Sequence, residues 1–145
     1  MKSFLATWQF WAAISACFAA LTAIFAKIGV ANINADFATF IRTLVVIAVI
    51  AAILTLNGEW QSFHEISART YLFLALSGVA TGASWLCYFR ALQIGQVSQV
   101  APVDKLSVVL VAIFGVAFLG EQLSLSAWAG IALIASGAGL LAYQS

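Results

Sequence analysis

The sequence predicts an all-α membrane protein with five transmembrane helices. Of its 145 residues, 64% are hydrophobic and only 8% are charged, and the mean hydropathy is +1.08. Such a chain has too little polar surface to enclose a core in water. Crossing about 30 Å of hydrocarbon takes about 20 apolar residues. Five stretches of that length, separated by polar breaks, are found along the chain.

The first two predicted helices cover about Trp8 to Gly29 and about Phe37 to Leu56. The polar break between them runs from Ala31 to Asp36 and contains two asparagines and an aspartate, residues typical of turns. Lys27 lies in the last turn of the first helix, and Arg42 lies only one to two turns inside the second. Both cations are therefore expected near the same membrane surface.

The third predicted helix covers about Thr70 to Leu92 and has Arg90 in its final turns. It contains Gly78 and Gly82, a pair of small residues four positions apart. Such a pair allows a neighbouring helix to come close, so we expect helix packing at this position.

The fourth predicted helix, about Val97 to Leu119, is unusual because Asp104 and Lys105 lie near its start. An ionised side chain at mid-span costs at least roughly 2.5–3.5 kcal/mol, so both charges imply partners, water or a nearby interface. Pro102 removes a backbone donor just before them and can kink a helix, which frees carbonyls to face a cavity. Neighbours along a helix do not face each other, so Asp104 and Lys105 are each expected to need a separate partner.

The fifth predicted helix, about Leu125 to Tyr143, is rich in alanine and glycine and is expected to pack tightly or to form oligomers. Glu121 lies between the fourth and fifth helices. Two interpretations remain open for its carboxylate, a solvated group at a helix end and a gating or coupling group.

Short connections make neighbouring helices antiparallel, which sorts the charged side chains between the two membrane surfaces. On the surface opposite the N-terminus, the ends of the first four helices bring together four cations and two acids. They are Lys27, Asp36, Arg42, Arg90, Asp104 and Lys105.

Two interpretations of this charge cluster are open. In the first, the long basic side chains reach the lipid headgroups, and Asp104 pairs with Arg42 or Arg90 to pin two helices together. In the second, the first four helices line a water-filled vestibule, in which Arg42, Asp104 and Lys105 contact a polar solute and Lys27 and Arg90 lie at the mouth. The excess of cations would favour anionic or zwitterionic solutes.

Other classes of function have little support in the sequence. The net charge of +1, without a clustered basic surface, gives no argument for binding nucleic acid. The chain has a single histidine, and no paired carboxylates or Ser/His or Cys/His arrangement is visible. We therefore expect no enzyme activity, no metal site and no cofactor.

Short motifs at the helix ends resemble one repeat of the EamA branch of the drug/metabolite transporter superfamily. They are Ala26-Lys27 ending the first helix, Arg42 shortly into the second, Tyr88-Phe-Arg-Ala-Leu92 ending the third, and Phe118-Leu-Gly-Glu-Gln-Leu-Ser124 closing the fourth. A glycine-rich fifth helix follows, so the resemblance covers essentially residues 1–145 as a single transmembrane domain.

The resemblance implies a half-size secondary transporter or exporter of small metabolites or drugs in the inner membrane, working by alternating access. Typical members carry two such repeats of opposite topology in one chain, with ten helices around a solute pathway, whereas this sequence has one. The resemblance therefore implies an antiparallel homodimer, with the bilayer and a small polar or amphiphilic solute as its other partners.

One departure from the family limits what is carried over. Many relatives are apolar where this chain has Asp104 and Lys105, so the solute specificity of the family does not transfer.

An alternative class of function remains open. The chain would then be a structural or assembly subunit of another membrane protein and would itself transport nothing.

Overall fold

A computed structural model describes residues 7–143. Within that range, five helical segments are long and apolar enough to cross a membrane. The chain forms two compact units, one from Ala26 to Gln93 and one that joins the residues before Ala26 to those after Gln93. The helices are α1 (Trp8–Gly29), α2 (Ala35–Asn57), α3 (Ala68–Ile94), α4 (Val97–Asp104), α5 (Ser107–Leu119) and α6 (Leu125–Tyr143).

The prediction of five transmembrane helices is confirmed, since α4 and α5 together form one span, Val97–Leu119. Helix α2 begins two residues before the expected Phe37 because Asn34 caps it. The Asn34 side-chain oxygen accepts hydrogen bonds from the backbone amides of Asp36, at 2.9 Å, and Phe37, at 3.1 Å. A cap of this kind satisfies amides that have no partner inside the helix.

The core of the unit Ala26–Gln93 lies where α1 ends, α2 begins and α3 ends. The side chains buried there are small or apolar, apart from one threonine whose hydroxyl donates to the Ala35 carbonyl at 2.9 Å. Towards the other ends of α2 and α3, large apolar side chains are exposed, as a lipid-facing surface requires. The buried residues are Ala26, Val30, Ala35, Thr39, Phe89 and Leu92.

The α-helix of the fourth span is interrupted two residues after Pro102, the residue that the sequence singles out as able to kink it. Lys105 and Leu106 form a turn between α4 and α5. Hydrogen bonds through the turn join residues three apart: Leu106 donates to Val103 and Val108 donates to Lys105, each at 3.0 Å. This tighter pattern is that of a 3₁₀ turn and marks an interruption of the α-helical ladder.

In the other unit, α6 packs along α4 and, over a shorter stretch, along α5. Helix α5 ends at Gly120, whose φ of +68° lies in the left-handed region. The amides of Gly120 and Glu121 both donate to the carbonyl of Gly115, which is buried. These bonds satisfy a helix-end carbonyl that would otherwise face hydrocarbon without a partner.

The expectation that a neighbouring helix packs closely against Gly78 and Gly82 is wrong within a single copy of the chain. A Cβ atom added at either glycine would meet no atom within 4 Å. No other described helix therefore approaches α3 closely at this pair, although the sequence would permit it.

We expect replacement of Gly120 by alanine to lower the free energy of unfolding by about 1 kcal/mol, because a Cβ is strained in the left-handed region. Gly78→Ala is the matched control, since that position is helical and has open space around it. Equilibrium unfolding of the purified protein in detergent measures both. Equal losses in the two variants would contradict the assigned role of Gly120.

Candidate functional site

The end of α3 is joined to the start of α2 by an ion pair between Arg90 and Asp36. The Arg90 guanidinium makes three hydrogen bonds to the carboxylate, from Nε to Oδ1 at 3.2 Å and from one terminal nitrogen to Oδ1 and Oδ2 at 3.0 and 2.8 Å. Such a forked arrangement fixes geometry more strictly than a single contact. Both side chains are exposed, so the pair orients the helix ends more than it stabilises the fold.

A second set of contacts satisfies backbone carbonyls at the same end of the unit. The Lys27 ammonium donates to the carbonyl of Leu92, in the last turn of α3. The Gln93 amide donates to the carbonyls of Val30, at 3.2 Å, and Ile33, at 2.7 Å, just beyond α1. Carbonyls at the end of a helix lack partners within it, and a cation there also complements the helix dipole.

Gln93 was missed in the sequence analysis. A neutral amide in the last turn of a membrane-length helix, three residues after Arg90, was the available signal. Its two backbone contacts, across 60 and 63 residues of sequence, could not be read from that position alone.

Arg42 contacts aromatic rings of α3 and has no carboxylate partner among the described residues. Its guanidinium carbon lies 4.0 Å from the centre of the Trp85 ring and 5.5 Å from that of Phe89. Trp85 and Phe89 are four residues apart, so they share one face of α3. The Arg42 side chain is partly buried, about 10 Å past the first residue of α2 by helical rise.

A comparison of two free energies explains how the ring contacts can hold Arg42 at this depth. A cation at mid-span costs at least about 2.5–3.5 kcal/mol, and a desolvated cation–π contact returns about 2 kcal/mol or more. The rings therefore offset a large part of the charge penalty. The rings do not accept hydrogen bonds from the five N–H groups of the guanidinium, which point outward in the guanidinium plane.

In the other unit, Asp104 and Lys105 pair with each other, which corrects the expectation that each needs a separate partner. The Lys105 ammonium lies 3.4 Å from Oδ2 of Asp104. Two adjacent residues within a helix point about 100° apart, but α4 ends at Asp104 and Lys105 belongs to the turn. The helix break and the length of the lysine side chain allow the contact.

Glu121 folds back over the end of α5. Its Oε2 atom would lie 2.6 Å from a Cβ atom added to Gly115, so only glycine leaves room for this carboxylate. Glu121 is exposed. Both sequence interpretations, a solvated helix end and a gating or coupling carboxylate, fit an exposed carboxylate held at this turn.

The structure brings Lys27, Arg42 and Arg90 into one unit, together with Asp36. It places Asp104, Lys105 and Glu121 in the other unit. The ion pair that the pinning interpretation named is wrong: Arg90 joins α3 to α2 through Asp36, and Asp104 pairs with Lys105. Whether both sets of charges line one vestibule stays a prediction.

The described residues contain no group of three or more histidine, cysteine, aspartate or glutamate side chains arranged to hold a metal ion. The described polar groups instead make ion pairs, helix-end hydrogen bonds and cation–π contacts. This chemistry suits the binding of a solute and the positioning of helices.

The comparisons with known proteins agree with this chemistry. The EamA-like transporter family matches residues 6–143. A Sinorhizobium protein, described as an uncharacterized transporter in the cobO 3' region, is 67% identical over 136 residues. The match covers 94% of this chain and 96% of the relative, so the two chains are of similar length. No solved structure matches the chain significantly.

We expect a double-mutant cycle of Asp36→Asn and Arg90→Gln to show a larger coupling free energy than the cycle of Asp104→Asn and Lys105→Gln. The first pair makes three hydrogen bonds and the second a single contact of 3.4 Å. Unfolding in detergent at low and high salt measures both cycles, and the coupling should fall as salt screens these exposed charges. Equal coupling in the two cycles would show that the Arg90 fork is not maintained in solution.

Proposed function

The chain belongs to the EamA-like transporter family, and on that premise we propose that it is a half-size secondary transporter of small metabolites or drugs. It exports its solute across the inner membrane by alternating access, as an antiparallel homodimer. The Sinorhizobium relative, which matches 94% of the chain, is itself described as an uncharacterized transporter, which supports the general function.

The observation that carries the proposal is the broken fourth span. A stretch of 3₁₀ backbone inside a longer helix often marks a functional hinge. Secondary transporters commonly build their solute sites where a transmembrane helix is interrupted. Here the break falls at Asp104 and Lys105, so an acid and a base lie where the helical ladder is interrupted.

The proposed roles follow from the positions of the charged side chains. Arg42 and Lys105 are the cations that contact the solute, and Asp104 is the partner of Lys105 or a proton carrier. Lys27 and Arg90 form the vestibule mouth by holding helix ends in place. Glu121 is a gating or coupling carboxylate outside this group.

The antiparallel dimer follows from the helix count. Five spans place the two termini on opposite sides of the membrane, so an identical second copy supplies an inverted repeat only if it inserts upside down. The basic residues near the helix ends favour neither orientation strongly, which permits dual insertion. On the N-terminal side they are Lys2 and Arg69, and on the other side Lys27 and Arg90.

We expect reporters fused to the C-terminus to give comparable signals whether they are active only inside or only outside the membrane. Dual insertion is required if two identical copies form the inverted pair. Three lysines added at the C-terminus provide the control, since they should hold that end inside and abolish the outside signal. Signal from one reporter alone in the unaltered protein would exclude the antiparallel dimer.

We expect Pro102→Ala to raise thermal stability and to reduce export. Alanine restores a backbone donor and straightens the span, which moves Asp104 and Lys105 away from their turn. Thermal unfolding in detergent measures stability, and mass spectrometry of the culture medium identifies metabolites exported by expressing cells. Val103→Ala, in the same helix, is the control and should change neither quantity.

If cells expressing the unaltered protein export nothing beyond empty-vector cells, and another chain co-purifies in fixed proportion, the structural-subunit alternative is correct. Export that persists unchanged in Pro102→Ala would leave the transporter function standing but remove the role of the break.

A further inference from the structure

We propose that Arg42, together with Trp85 and Phe89, forms a subsite for the carboxylate or phosphate group of a solute that has an apolar body. The inference rests on the proposed transport function, since it names the chemical class of the solute. It adds an oxyanion-binding role for one guanidinium and an apolar role for the two rings beside it.

The first step is that Arg42 carries unused hydrogen-bonding capacity. Among the described residues, its guanidinium has the two ring contacts, at 4.0 and 5.5 Å, and an electrostatic interaction with Tyr88, but no hydrogen-bond acceptor. A guanidinium has five N–H donors, and the ring faces compensate its charge but not those donors. Other basic groups of the same unit have acceptors, a carboxylate for Arg90 and a backbone carbonyl for Lys27.

The second step is that the carboxylates of the same unit are occupied or distant in sequence. Asp36 is engaged by Arg90 through both of its oxygens. Glu59 and Glu65 lie in the connection between α2 and α3, beyond the C-terminal end of α2. Arg42 lies near the N-terminal end of that helix. The unit therefore provides the cation without providing its anion.

The third step is the shape of the missing partner. The guanidinium fork matches the two oxygens of a carboxylate or phosphate and is the side chain best suited to bind them in pairs. Trp85 is partly buried and offers apolar surface beside the charge, whereas Phe89, at 3% exposure, is covered by protein and acts by holding the guanidinium in position. A solute with an oxyanion next to a flat or apolar body fits both features.

Two kinds of molecule could bring a carboxylate or phosphate group to Arg42, a transported solute and a lipid with an anionic headgroup. Benzoate and its neutral analogue benzamide are suitable probes, since they differ in charge but share a ring. Binding is measured by calorimetric titration of the purified protein in nanodiscs of phosphatidylcholine, and again in nanodiscs that contain phosphatidylglycerol. Phospholipid that co-purifies with the protein is counted by mass spectrometry.

We expect benzoate to bind at least about tenfold more tightly than benzamide, the effect of one charge-assisted hydrogen-bonded contact. Arg42→Met should remove this preference. Arg42→Lys keeps the charge but loses the fork, and it should retain only part of the preference with the fold intact. Arg69→Met is the matched control, because Arg69 also lies over a ring, 5.8 Å from the centre of Phe73, near the start of α3. It should leave the preference unchanged.

The outcomes separate the two sources and the two proposals. Preference for benzoate that depends on Arg42 in both kinds of nanodisc supports a solute subsite. Benzoate binding that phosphatidylglycerol suppresses, with fewer co-purified phospholipids in Arg42→Met, supports the oxyanion subsite and assigns it to lipid. Equal binding of benzoate and benzamide, with unchanged phospholipid content in the folded Arg42→Lys variant, overturns the inference.

The proposed transport function is tested separately by export from cells. Arg42-dependent binding without any export would retain the subsite and reject the transporter. Export that is unaffected by Arg42→Lys and Arg42→Met would retain the transporter and reject the subsite as part of its pathway.

Discussion

The structure depends on one constraint, which is that polar groups in hydrocarbon must find their partners within the protein. Most backbone groups satisfy it inside helices, so the difficulty concentrates at helix ends. Where α1, α2 and α3 meet, the solution combines an asparagine cap, a lysine and a glutamine. The buried residues of this unit lie at the same place, so the packing and the polar contacts support each other.

The same constraint distinguishes three basic residues that a sequence alone would treat alike. Arg90 and Lys27 reach an acid and a carbonyl, and their charges are used to hold helix ends. Arg42 lies farther along its helix and faces aromatic rings, which compensate charge without accepting its in-plane hydrogen bonds. Of these three cations, the two with hydrogen-bond acceptors hold helix ends, and the guanidinium without one is the stronger candidate for contact with a solute.

How much of this was predictable from sequence depends on the range of the interaction. The five spans follow from the lengths of the apolar runs, and the interruption of the fourth span follows Pro102, because both are local properties. The Asp104–Lys105 contact was wrongly excluded by assuming an unbroken helix, although Pro102 showed that the helix can be interrupted here. The Arg90–Asp36 and Gln93 contacts join residues 54 to 63 positions apart, and which partner is chosen depends on how three helices approach each other.

The position of the break gives the proposed dimer a specific geometry. Helix α4 is about 12 Å long by helical rise, and the full span of 23 residues is about 35 Å long, so the break lies roughly a third of the way across. In an inverted copy the break would lie a third of the way from the other surface. If both spans run along the membrane normal, the two charged breaks are then about 11 Å apart along it, one on each side of the midplane. Two identical chains would thereby provide each side of the pathway with a break of its own, and exchange of their conformations would open the two sides in turn.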